Sequence, residues 1–165
     1  MRQISSLFAA AIMLAGSTVA ALAGPATLIG PATLTGAVTS PVTLDQATLA
    51  ALPAQTLDIS FDTANGKETG TYTGVLVYDL LQKAGLVNDS GKNSFLKHTL
   101  TITGSDGYAV AVAEGELDPK FGNKQVLLAY KSADGKTSFD HLRILVPGDI
   151  HGGRAVSDVV SIEVK

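Results

Sequence analysis

The chain has 165 residues, 45% of them hydrophobic, with 12 Lys and Arg against 15 Asp and Glu and a net charge of −3. That balance provides no basic stripe for nucleic acid, and the length suits one domain with its own core. Cysteine and tryptophan are absent, so stability must come from burial, and a sugar platform of stacked Trp rings is excluded.

Residues 1–23 read as a secretory signal. Arg2 supplies a positive start, residues 4–15 form a short apolar run, and Ala21-Leu22-Ala23 is an A-x-A cleavage signal. Gly16, Ser17 and Thr18 break the run, which is too short for a spanning helix. Cleavage is expected after Ala23, with a soluble periplasmic product. No cysteine follows for a lipid anchor, and an oxidising compartment permits disulfides without requiring them. Residues 24–41 contain Gly24-Pro-Ala-Thr-Leu-Ile29 followed by Gly30-Pro-Ala-Thr-Leu-Thr35. Two short copies cannot make a solenoid. Their Pro and Gly predict an extended, weakly ordered arm.

From residue 42 to 165 the signals become those of a domain. Thr43 and Gln46 have capping-box spacing for a short helix that Pro53 ends. Residues 55–62 alternate, with Leu57, Ile59 and Phe61 on one face and Thr56, Asp58, Ser60 and Asp62 on the other. Asn65-Gly66 predicts a type I′ hairpin returning through residues 68–72. Residues 73–85 read as the main helix. Leu76 pairs with Leu80, and Val77 with Leu81 and Ala84; Lys83 lies in the last turn, and Gly85 suits the C′ position. Leu100 and Ile102 mark a strand, Asp106-Gly107 a turn, and residues 108–112 the return. One helical turn is expected over 113–118, stopped at Pro119. Strands follow at 126–131, 142–146 and 159–164, with a turn at Asp134-Gly135. About seven strands and three short helices predict an α+β domain.

Four segments, in order over about residues 43–164, carry a family resemblance. Tyr72-Thr-Gly-Val-Leu-Val-Tyr-Asp-Leu-Leu-Gln-Lys-Ala-Gly85 is similar to W-x-G-V-x-L-x-D-L-L-x-x-A-G, and Gly104-Ser-Asp-Gly-Tyr108 to G-x-D-G-Y. Leu127-Leu-Ala-Tyr130 and Leu142-Arg-Ile-Leu-Val-Pro-Gly148, with the Gly-rich loop and final strand after them, complete the set. Together they resemble the sulfite-oxidase-type molybdopterin-binding domain. The resemblance implies a sulfite-oxidase-like molybdopterin-binding fold, a mixed β-sheet with a few short helices. It also implies a pterin or molybdopterin-like ligand. The family's enzymes hold molybdenum through one cysteine thiolate at the end of, or just after, the strand matching residues 55–62. Here that region offers Ser60, Phe61 and Asp62, and neither hard oxygen replaces a soft thiolate. Tyr72 also stands where the family has Trp. No metal is therefore expected, and the reading leans away from an enzyme.

The candidate ligand residues gather on two loops and one strand end. Gly152 and Gly153 allow close backbone approach and an anion nest. Arg154 follows them, where the resemblance implies a basic residue contacting the pyranopterin or its phosphate. A guanidinium suits that role by its planar fork, and a loop Arg is expected to add little to stability. His151 either meets a heterocycle edge or stays exposed. Ser105 and Asp106 would accept from an amino-pyrimidine edge, while Tyr108 either stacks on the ligand or half-buries in an ordinary Asp-Gly hairpin. Asp62 is the polar candidate at the strand end, Phe61 reads as core, and Asp149 as a turn cap. His98, His141 and His151 lack paired metal-ligand spacing. Glu114 and Glu116 do not share a helix face and read as surface charge. No nucleophile elbow and no Walker or Rossmann glycine motif occurs.

The leading reading is an exported protein that binds a small pterin-like heterocycle. By analogy with short cysteine-free exported relatives, its partner would be the periplasmic domain of a membrane signalling protein, such as one controlling cyclic di-GMP. The alternatives are a molybdopterin-dependent oxidoreductase with non-cysteine ligation and a ligand-free interaction module. Missing cysteine argues against the first alternative, and retained Gly152-Gly153-Arg154 against the second.

Overall fold

Two β-sheets and three short α-helices organise the chain in a computed structural model that describes residues 31–165. The expected signal and the first part of the arm lie outside the described residues. In chain order the elements are β1 (Thr33–Gly36), β2 (Val42–Thr43), α1 (Gln46–Ala50), β3 (Ala54–Thr63), β4 (Gly66–Leu76) and α2 (Val77–Ala84). After these come β5 (Thr99–Gly104), β6 (Ala109–Ala113), α3 (Glu114–Leu117), β7 (Leu127–Ser132), β8 (Arg143–Leu145) and β9 (Val159–Val164). Short 3₁₀ turns cover Ser94–Lys97 and Gly152–Arg154. One sheet has the order β2-β1-β9-β5-β6, the other β3-β4-β7-β8. Only the β1–β9 pair is parallel among these neighbours. The architecture is α+β, with one mixed and one antiparallel sheet.

The strand beyond β2 differs from the composition-based expectation. Instead of a weakly ordered arm, residues 33–36 lie parallel to β9, with Leu34 opposite Ile162 and both fully buried. Gly36, at φ +96°, sits so close to the Val164 carbonyl that a Cβ there would collide with it. Gly36 thus marks a tight approach to the sheet, not freedom from it.

Local rules predicted other boundaries that packing moved. The expected helix over 73–85 starts only at Val77, because residues 73–76 extend β4 and pair with β7. Gly74 lies against the Leu128 carbonyl with no room for a side chain. Val77, Leu80, Leu81 and Ala84 form the buried face of α2, but Leu76 lies on β4 and packs with Phe61 and Tyr72 instead of pairing with Leu80. Gly85 ends it at φ +70°, its N–H donating to the Leu81 carbonyl at 2.9 Å. In α1 the cap is Asp45 and not Thr43, since the Asp45 carboxylate accepts from the Thr48 N–H at 2.8 Å. The β3–β4 hairpin closes at the Thr63–Gly66 pair, with Ala64 and Asn65 as its loop. Asn65 lacks the positive φ of a type I′ turn, and only Gly66 (φ +107°) has one. Thr63 Oγ1 organises the bend, donating to the Gly66 carbonyl at 2.7 Å and accepting from the Asn65 N–H at 3.1 Å.

The four-stranded sheet is buried on both faces around β7. Leu128 and Ile144 point into the main core with Leu34, Leu80, Leu100 and Ile162, whereas Leu127, Ala129 and Leu145 join Ile59, Phe61 and Tyr72 on the other face. This explains why Leu127-Leu-Ala reads as a continuous apolar run. The second face, with Phe61 and Tyr72, carries the polar groups described next.

Candidate ligand site

The loop between β8 and β9 is fastened from two sides. Pro147 and Gly148 (φ +85°) turn the chain after β8. Asp62, at the end of β3, donates its N–H to the Ile150 carbonyl at 2.8 Å and forms a parallel bridge with His151. Gly152 packs on the Phe61 ring so closely that a Cβ would lie 2.6 Å from it. From the other side, the Tyr108 hydroxyl donates to the Gly153 carbonyl at 2.6 Å. Asp62, Tyr108, His151, Gly152 and Gly153 therefore meet on one rim.

Two further candidates stand beside that rim. Asp106 turns its carboxylate back on the Tyr108 N–H at 2.9 Å, so it shapes the hairpin. Ser105 donates its N–H to the Asp158 carbonyl at 2.9 Å. Asp62, Ser105, Asp106 and His151 are exposed, and Tyr108 is 49% exposed.

Arg154 is engaged with protein carboxylates, where the resemblance implies a guanidinium that contacts the ligand. Its Nε and Nη2 donate to the two Asp149 oxygens at 2.8 and 2.7 Å, and Nη1 reaches Glu116 at 3.2 Å. Lys124 adds a second cation to Asp149 at 3.4 Å. The fork thus ties the loop to α3. Asp149 does more than cap a turn, and the neighbouring guanidinium holds its carboxyl below the usual carboxylate range. Glu116 is likewise a partner and not free surface charge. Glu114 departs further from that reading, being 1% exposed.

A cluster that sequence reasoning missed lies on the far side of Phe61. Arg143 donates through Nη1 to Glu68 at 2.6 Å and to the Tyr72 hydroxyl at 3.3 Å, and through Nη2 to Glu68 at 3.3 Å. Its guanidinium carbon stands 5.7 Å from the Phe61 ring centre and 5.8 Å from that of Tyr72, within cation–π range. Arg143 Nε is buried without an acceptor among the described residues. Arg143 holds the Glu68 carboxyl below its ordinary value, and burial, with Glu68 beside it, pushes the Tyr72 phenol up. The signal was present as a charged residue inside the apolar run Leu142-Arg-Ile-Leu, but nothing in one dimension linked it to Glu68.

Arg143, Glu68 and Tyr72 wall a cleft of about 870 Å³, completed by the 132–137 turn, His141 and Asp158. A second cavity of about 630 Å³ adjoins it, sharing His141 and Asp158 and including Ser105. The shared wall is a hydrogen-bonded pair, His141 Nδ1 and Asp158 Oδ1 at 2.7 Å. Asp158 holds a left-handed backbone (φ 49°), an uncommon conformation for a non-glycine residue.

The donor set does not fit a molybdenum centre. No thiolate exists in the chain. Ser60 and Asp62 are exposed, and among the described residues no three His, Cys, Asp or Glu gather into a metal cluster.

No protein-family model matches the chain, and no curated protein matches it. Among solved structures it is similar to the sulfane dehydrogenase SoxCD from Paracoccus pantotrophus, with a TM-score of 0.62 and 19% identity. The match covers 82% of this chain and 38% of that one, so the chain spans well under half the length of its structural neighbour. At this identity the likeness concerns the fold alone. The shared feature is an α+β fold like that of part of this dehydrogenase.

Proposed function

We propose that this chain is an exported protein that binds a small planar heterocycle of the pterin class and reports it to a membrane signalling partner. The observation that carries the reading is a molybdopterin-oxidoreductase-like fold on a chain without a single cysteine. The scaffold favours a pterin-shaped ligand, and the lost thiolate removes the soft ligand that molybdenum chemistry on it would use. The Arg143 cleft is the seat. Its volume of about 870 Å³ falls in the range of small-molecule sites. Arg143 supplies a guanidinium with a buried Nε, unpartnered among the described residues, and Tyr72 supplies a ring at the wall. The Gly152–Gly153 rim, with Tyr108, His151 and Asp62, flanks the Phe61 ring. Arg154 acts by holding that rim and not by direct contact.

The test uses the full chain expressed with its own leader in a host that makes molybdopterin. The mature protein should begin at Gly24, co-purify with a pterin detectable by mass spectrometry, and carry no stoichiometric molybdenum. Fluorescence titration with 2-amino-4-oxopteridine should show Arg143→Ala weakened by about 10- to 150-fold, as for loss of a charge-assisted contact. Arg143→Lys should recover little, because a point charge lacks the fork. Thermal unfolding of both variants separates this loss from unfolding. About one molybdenum per chain would restore the oxidoreductase alternative, whereas a wild type blind to every pterin would leave the ligand-free interaction module.

A further inference from the structure

Glu114 opens α3 deep inside the molecule, 1% exposed. Its Oε2 is buried with no hydrogen-bond partner among the described residues. Such a carboxylate is costly unless something pairs with it. Burial raises its pKa, with Asp118 adding to the shift and His98 opposing it. Glu114 lines a separate cavity of about 240 Å³, with Tyr78, Gln82, Asn88, Phe95 and Asp118 also in its wall. None of the cavity's lining residues is basic.

We propose that this cavity binds a primary alkylammonium group, with the Glu114 carboxylate as its counter-ion. Two carboxylates, Glu114 and Asp118, set the sign of the charge, and the amide oxygens of Gln82 and Asn88 add acceptors. Asn88 already meets His98 Nε2 at 3.2 Å, so Gln82 is the freer of the two. The remaining wall is apolar or aromatic: Leu81, Leu86, Phe95 and the Tyr78 ring. Aliphatic walls cover an alkyl stem, and ring faces attract its cationic head. The size also selects, since the cavity lies below the roughly 300 Å³ at which drug-sized sites begin. A metal ion finds too few ligands here, because no group of three suitable side chains exists among the described residues. The ammonium could arrive on a free small amine or on the lysine of a partner protein; the recognition chemistry is the same.

The experiment is calorimetric titration of the full chain with n-butylammonium chloride and, separately, with n-butanol, which shares the alkyl chain but not the charge. The wild type should bind the ammonium and not the alcohol. Glu114→Gln should weaken ammonium binding by about 10- to 150-fold, the range for a lost charge-assisted hydrogen bond, and Asp118→Asn by less. Circular dichroism melts confirm that each variant is folded, and Asp118→Asn keeps the test open if Glu114→Gln does not fold. Competition by N-acetyl-lysine methylamide assigns the site to a partner's lysine; failure to compete, with butylammonium still bound, assigns it to a free amine. Equal binding of ammonium and alcohol, no ammonium binding, or a folded Glu114→Gln with unchanged affinity overturns the proposal.

Discussion

Arg154 links the two carboxylates Asp149 and Glu116 across three nitrogens. Asp149 is only 18% exposed at its side chain and Arg154 29%, so the pair is partly shielded from water and from salt. Removing the guanidinium leaves Asp149 with Lys124 alone, at 3.4 Å. Arg154→Ala should therefore destabilise the chain by about 1–3 kcal/mol, read by urea unfolding. Arg154→Lys should regain little, because an ammonium cannot bond both Asp149 oxygens in the fork geometry. A change within about 0.5 kcal/mol, as for an ordinary surface residue, would restore the sequence-based expectation that Arg154 adds little to stability.

At the scale of elements, β1 decides where the domain begins. Leu34 is fully buried opposite Ile162, in a parallel pair that no local turn creates. Truncating it leaves a cavity at the heart of the five-stranded sheet. Leu34→Ala should cost about 2–5 kcal/mol in a denaturant melt, whereas a linker residue would cost almost nothing. Strand β4 teaches a related lesson. Its residues 73–76 have neighbours compatible with a helix, yet they extend because Gly74 lets β7 approach and Val75 is buried in the main core. The hydrogen bonds of a sheet come from distant residues, so intrinsic helix preference is outvoted. The alternation over residues 55–62, in contrast, survived intact, since one face of β3 packs and the other meets water.

For the whole molecule, the charged groups pull the pH dependence of stability in two directions. Asp149 and Glu68 have carboxyl groups held low by Arg154 and Arg143 respectively. Their contribution is present above the unfolded carboxylate value and is lost as pH falls through the lowered folded value. Glu114 has the opposite sign. Burial raises its folded pKa, so its contribution is full below the unfolded value and lost as pH rises through the folded one. Glu114→Gln, with no ammonium present, should therefore raise the melting temperature at about pH 7, and the gain should shrink towards about pH 4. A gain independent of pH would show that the carboxyl stays neutral throughout.

Composition and periodicity by themselves determined the α+β class, the alternating β3, the buried face of α2 and the turn glycines at residues 85 and 107. All of these rest on contacts within a few residues. The sequence also singled out Asp62, Tyr108, His151, Gly152 and Gly153 as candidates, and these lie on one rim. Only the tertiary structure decided the rest. It inserted β1 beside β9, turned Arg154 inward onto Asp149 and Glu116, buried Glu114, and set Arg143 between Glu68, Phe61 and Tyr72. Arg143 and Glu68 are 75 positions apart in the chain. Partners so distant leave no periodic trace, because the spacing between two strands of a sheet depends on every loop and helix that intervenes.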